Sequence, residues 1–191
     1  MAIFLILAPY GAYSFLMLVT SVTISVFVAS AICLATVAID VARGRTVKIL
    51  AMGSALLFAA IGLYLTLIDP ALGTLAVKLS VDIGIFAISL GSMLVRRPFT
   101  LQYALESVPA ETAAMPGFLY ANYVITAAWT AAALLMAAAN LVLLYVPGLP
   151  LWSSLAVAFA ARNSAIYFTK WYPEYRQIKY GTPASAMPHT R

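Results

Sequence analysis

AIFLILAPYGAYSFLMLVTSVTISVFVASAICLATVAI, running from Ala2 to Ile39, contains no charged side chain. As one helix it would reach about 55 Å at about 1.5 Å per residue, nearly twice the roughly 30 Å hydrocarbon core of a bilayer. The run must therefore divide, and the place where it divides sets the number of helices. Pro9 and Gly11 offer a break near its start, because proline removes a helix donor and both residues loosen the ladder. Met1 to about Val19 reads as a short, partly interfacial or re-entrant apolar element, followed by a full crossing from about Ser21 to Ala42. A true crossing at the N-terminus is the competing reading and raises the count to six.

The rest of the chain continues in the same character. Hydrophobic residues make up 64% and charged residues 9%, against about 45–50% and about 25% in soluble domains. A core of this size cannot hide that excess, so the lipid bilayer is the expected solvent. Four further crossings are expected at about Ile49 to Ile68, Gly73 to Val95, Leu119 to Val146 and Leu151 to Thr169. The turns Asp69-Pro70 and Pro147-Gly148-Leu149-Pro150 are short and proline-bearing, which forces antiparallel neighbours. Two hairpins follow, the third element with the fourth and the fifth with the sixth. The expected fold is all-α: a polytopic transmembrane helical bundle of five crossings plus the N-terminal element. It forms one domain over residues 1–180, ahead of a flexible cytoplasmic tail at 181–191.

Orientation comes from the cations. Arg43, Arg45 and Lys48 share one loop, Arg96 and Arg97 open the next loop on that side, and Lys170, Arg176, Lys179 and Arg191 follow the last crossing. The alternate loops carry no Lys or Arg, so the positive-inside rule puts the basic loops and the C-terminus in the cytoplasm. Trp171, Tyr172, Tyr175 and Tyr180 form the aromatic band expected at an interface. The eleven Lys and Arg residues, for a net charge of +5, are scattered in short clusters between apolar runs. They lack the form of a phosphate-binding stripe, and no nucleic-acid partner is expected. Met1 to Tyr10 has neither a basic start nor a small-residue cleavage site and is expected to be retained. Cys33, the single cysteine, lies within an apolar run and reads as a small buried or lipid-facing residue.

Two features break the apolar pattern. In the loop from Arg96 to Gly117, Leu101, Leu105 and Val108 fall on one helical face after Pro98. That predicts a short amphipathic helix near 97–108 on the inner leaflet, with an irregular loop as the alternative given Pro109 and Pro116. Within the crossings, Lys78 and Asp82 are spaced i,i+4, Asn140 lies in the fifth element counted from the N-terminal one, and Arg162-Asn163 interrupts the last. Polar groups at such depth are costly and are paired or functional. Asp82 is the candidate proton- or ion-contacting carboxylate; convergence of Asp82, Asn140 and Arg162 would make a polar centre between hairpins. The plainer reading is helix packing, which Ser80, Gly84, Ala87 and Gly91 also favour as a small-xxx-small stripe.

The only histidine is His189, so no histidine pair can hold a haem and no ligand cluster suits zinc. No P-loop, serine-hydrolase elbow or zincin helix occurs. No catalytic residue, metal or cofactor is expected, and the chain reads as a non-enzyme.

The order of features, with Arg43 to Lys48 between two crossings, the Asp69-Pro70 turn, Arg96-Arg97-Pro98-Phe99, and Trp129 eleven residues before Asn140, resembles the bacterial intracellular septation protein A family over about Ser25 to Phe168. The resemblance implies an inner-membrane protein of envelope synthesis or division that works through contacts with other membrane proteins. The chain departs from the family pattern in its longer loop after Pro98, in Arg162 and in its aromatic tail. Three functions are thus expected to compete: an envelope or septation-related scaffold, as a homo-oligomer or with other membrane proteins; a small proton- or ion-coupled transporter or channel using Asp82; and an accessory subunit of a larger membrane complex.

Overall fold

The computed structural model describes residues 2–115, 117–146, 148–150 and 152–180. The expected tail at 181–191, with His189 and Arg191, lies outside them. Eight helices follow one another: α1 (Ala2–Val19), α2 (Val22–Ala42), α3 (Ile49–Leu67), α4 (Thr74–Leu94), α5 (Phe99–Leu105), α6 (Ala110–Ala113), α7 (Phe118–Tyr145) and α8 (Trp152–Tyr180). No strand occurs among the described residues. Four helices, α2, α3, α4 and α7, are long and apolar enough to cross a membrane.

Two helices differ from expectation. α1 is one continuous helix with Pro9 inside it. A proline forfeits only its own bond to the preceding turn, and packed neighbours tolerate that in apolar surroundings. As expected from the division near residue 20, α1 turns through Thr20 and Ser21 into α2, where the Ser21 hydroxyl accepts from the Ile24 amide at 3.3 Å and caps the new helix. Tyr10 and Tyr13 of α1 pack on Phe58 of α3, with ring centroids 6.0 and 5.4 Å away. α8 is long enough to cross at 29 residues, yet it is not one of the four helices apolar enough to do so. Ser153, Ser154, Arg162, Asn163 and Ser164 dilute its hydrophobicity. It also runs on past the expected end at Thr169, through Pro173 to Tyr180, so its length of about 43 Å exceeds a hydrocarbon core.

Lipid offers no hydrophobic drive for helices to meet, so close fit and hydrogen bonds must hold them together. One buried cluster joins α1 to α4 around Val26, Ala29, Phe58, Val77 and Val81. A second joins α7 and α8 through Ala132, Ala133, Met136, Ala161 and Ala165, with Ile85 and Phe86 of α4 against it. α4 therefore links the two halves. Its most extensive partner is α7, more so than α3, to which a short turn connects it; the expected α3–α4 hairpin is present but is not the principal seam. Glycine sets the α3–α4 and α2–α3 approaches: a Cβ on Gly84 would run into Leu57, and one on Gly62 would meet the Phe27 ring.

α4 ends with Arg96 in the left-handed region at φ 60, and the Arg97 amide donates back to the Ser92 carbonyl at 2.9 Å, a helix-closing turn. The chain then enters α5 through Pro98, which is fully buried. Within the span 97–108 the short helix α5 buries Phe99, while Leu105 is exposed. The Phe99 amide donates to Ser92 Oγ at 3.1 Å, and Thr100 Oγ1 donates to the Asn122 carbonyl of α7 at 2.9 Å. Those bonds draw α5 into the end of the bundle, which it plugs.

Candidate functional site

α4 places Asp82 one residue beyond the buried Val77–Val81 edge, turned toward α7. There Asn140 Nδ2 donates to Asp82 Oδ2 at 2.7 Å. Asn140 is buried, and its Oδ1 has no hydrogen-bond partner among the described residues; the buried Tyr13 hydroxyl of α1 has none among them either. Lys78, one turn before Asp82, makes no ion pair with it within 4.0 Å among the described residues, although the two are close enough to interact electrostatically. Arg162 of α8 is also within electrostatic range of Asp82, and it forms neither hydrogen bond nor ion pair among the described residues. The structure therefore joins Asp82 directly to Asn140 and leaves Lys78 and Arg162 around that pair.

Asn163 stands apart: it is exposed and donates to the Phe159 carbonyl of its own helix at 2.7 Å. The small-residue stripe also divides. Gly84 is used inside the bundle against Leu57, whereas Ser80 and Ala87 are exposed and a Cβ on Gly91 would meet nothing within 4 Å. Ser80 closes its own hydroxyl onto the Ala76 carbonyl at 2.9 Å.

Between these helices lies a cavity of about 50 Å³ lined by Arg162, Tyr10, Ser89, Trp129 and Phe99 together with Leu50, Ile85, Ala133 and Met136. Its polar walls are largely engaged elsewhere. Tyr10 shares a hydrogen bond with Ser54, and Trp129 Nε1 donates to Thr169 Oγ1 at 2.9 Å. Phe99 brings the α5 plug to the wall of this cavity.

A second constellation lies at the end where the basic loops meet. Lys48 is buried, and its ammonium donates to Asp40 at 2.6 Å and pairs with Glu106 at 3.0 Å; Arg45 adds a longer contact to Asp40 at 3.7 Å. The Ile49 amide donates to Gln102 Oε1 at 2.7 Å, and Lys48 lies 5.5 Å from the Tyr103 ring centroid. The α2–α3 loop is thereby clamped to α5, which places both basic connections at the same end of the molecule. Burial, reinforced by the neighbouring carboxylates of Asp40 and Glu106, pushes the Tyr103 phenol upward from its ordinary value. This knot is absent from the sequence-derived candidates: Asp40 and Lys48 are eight positions apart across a loop, and Glu106 is far along the chain. Lys48 reads there as one more topology-setting cation.

The same end receives the extension of α8. Phe168, Trp171, Tyr172 and Tyr175 stack along it, with centroids 5.1 Å apart for Phe168 and Tyr172 and 5.0 Å for Trp171 and Tyr175. Arg176 Nη1 donates to the Gly117 carbonyl at 2.7 Å and sits over the Tyr120 ring. Gly117 begins α7 at φ 87, and a Cβ there would collide with the Arg176 guanidinium. Glycine is required twice over, by conformation and by contact.

These residues offer one carboxylate, two nearby cations and several hydroxyls, with no nucleophile held against a base. Among the described residues no three His, Cys, Asp or Glu side chains gather as a metal site would need. Comparison with protein-family models, with curated proteins and with solved structures gives no match.

Proposed function

We propose that this chain is a non-enzymatic bacterial inner-membrane protein, crossing five times through α2, α3, α4, α7 and α8, that acts in envelope or septation-related assembly through helix–helix contacts. The observation that carries this reading is the outward edge of α4. Ser80, Ala87 and Gly91 fall on one side of the helix, and open space lies beside Gly91. Small residues there let a second backbone approach closely in lipid, where close packing is the main source of association. The resemblance in Arg96-Arg97-Pro98-Phe99 and in the Trp129 to Asn140 spacing supports the same role. The C-terminus and both basic loops lie in the cytoplasm on this reading, in keeping with the clamping of Lys48 to Glu106.

The test is purification from native membranes in mild detergent, with co-purifying membrane proteins identified by mass spectrometry. Gly91→Leu is expected to lose its partners with the chain's own unfolding temperature unchanged, whereas Gly84→Leu destabilises the chain itself. Undiminished partner capture by Gly91→Leu sinks the assembly reading.

A second reading rests on a different observation, the unpartnered Asn140 Oδ1 and Tyr13 hydroxyl in the helices around Asp82. Buried polar atoms without partners suit a site through which a proton or ion passes. Liposome flux assays decide it: equal flux in the wild type and Asp82→Asn removes Asp82 from any transport role.

A further inference from the structure

Across residues 2–39, 49–67, 74–94, 118–145 and 152–169 the only charged side chains are Lys78, Asp82 and Arg162. Two cations face one carboxylate, and that carboxylate takes its hydrogen bond from neutral Asn140. One positive charge is left in excess within apolar surroundings, where an unpaired ion costs several kcal/mol. Arg162 is the cation with least compensation: it has no ion pair and no hydrogen bond among the described residues. It begins about 15 Å along α8 from Trp152 and lines the cavity between α1, α3, α4, α5, α7 and α8.

The other walls supply no counter-charge. Tyr10 from α1, Ser89 from α4, Phe99 from α5 and Trp129 from α7 are neutral, and no acidic residue lines the space. Its volume of about 50 Å³ compares with about 10–15 Å³ needed to admit one water on the same measure. A species of a few heavy atoms fits; a hydrated divalent oxyanion does not. Aromatic and aliphatic walls also favour an ion that sheds water easily.

We infer that Arg162 and this cavity form a binding site for one small, weakly hydrated monovalent anion, between a halide and formate in size. The excess charge is then neutralised by the ligand, and α5, held by Ser92, Thr100 and the Lys48–Glu106 pair, closes the site toward the basic end. The site is independent of the assembly role proposed above, since no residue of it lies on the Ser80–Gly91 edge.

Trp129 lies in the cavity wall and reports directly on its occupant. In the full chain carrying Trp152→Phe and Trp171→Phe, Trp129 is the sole indole. Its fluorescence is titrated with bromide in nanodiscs, with ionic strength held constant by gluconate. Saturable quenching that formate reverses is expected. Arg162→Gln should raise the half-saturating bromide concentration at least about ten-fold, the loss of a charge-assisted contact, while Arg162→Lys retains saturation at an intermediate concentration. Quenching that is linear in bromide and indifferent to formate overturns the site in the unmutated cavity, whether or not Arg162→Gln folds. Saturation unchanged in both Arg162 variants overturns its assignment to this residue.

Discussion

At the basic end of the bundle Lys48 meets two carboxylates at 2.6 and 3.0 Å, and Arg45 joins them; inside the bundle, among the described residues, Asp82 has one hydrogen bond from a neutral amide and Arg162 has none. Both regions bury charge, but only the first closes its polar accounts. A buried network whose members are all satisfied holds neighbouring segments in one arrangement, and here it fixes a loop to α5. Buried groups left short of partners add nothing comparable to stability, and they leave polar atoms open to a bound water, ligand or ion. The difference separates a structural knot from a candidate binding region within one small chain.

The comparison breaks most visibly at Lys48. Lys48→Met leaves Asp40 only the longer Arg45 contact and is expected to lower stability by about 3–5 kcal/mol, as removal of one partner from a buried ion pair does, read as thermal unfolding in micelles. A loss below that of a surface substitution would show that the knot is not structural. Asn140→Ala takes away the hydrogen-bond donor held on Asp82 and should cost about 2 kcal/mol in the same assay. Glu106→Gln removes the more exposed partner of Lys48, and about 1 kcal/mol is expected. Protease cleavage in the α5–α6 segment should rise in that variant as the plug loosens.

Asp82→Asn preserves shape and should change stability by less than about 1 kcal/mol, yet it removes the only negative charge near Arg162. Bromide should then saturate Trp129 at a several-fold lower concentration; an unchanged or weaker titration would uncouple the two residues. Smallest near neutral pH is the effect at Tyr103. Its phenol is shifted up from 10.0, so the folded state gives up its proton later than the unfolded one. This contribution is constant below about pH 10 and is lost as pH rises beyond it. Part of the late tyrosinate absorbance in an alkaline titration should be lost in Tyr103→Phe.

Helix positions were legible in the chain because lipid-crossing segments need long apolar runs and the breaks are chemically plain. The expected Ile49 to Ile68 and Gly73 to Val95 compare with Ile49–Leu67 and Thr74–Leu94. Misjudgement came where one residue was weighed alone. Pro9 suggested a break, but packing of Tyr10 and Tyr13 on Phe58 holds α1 through it. Leu101, Leu105 and Val108 suggested an apolar face for α5, but Phe99 and Thr100 are what dock.

The candidate site was legible only as a set of suspects. Depth made Lys78, Asp82, Asn140 and Arg162 conspicuous, because charge and amide groups in an apolar run cost too much to be incidental. Which of them touch depends on how α4, α7 and α8 rotate against one another, and the pairing of Asp82 with Asn140 spans 58 positions. The i,i+4 spacing of Lys78 and Asp82 permitted an ion pair that the bundle did not adopt.

Apolar run length, proline turns and the distribution of cations, all local properties, determined the all-helical class and the alternation of connections. Tertiary structure alone decided that α4 bridges two halves, that Gly84 serves the interior while Gly91 faces outward, that α5 plugs one end and that Arg162 meets no ion-pair partner among the described residues. Hydrophobicity acts residue by residue and so can be read along the chain, whereas steric fit and charge pairing depend on distances between side chains that only the packed helices establish.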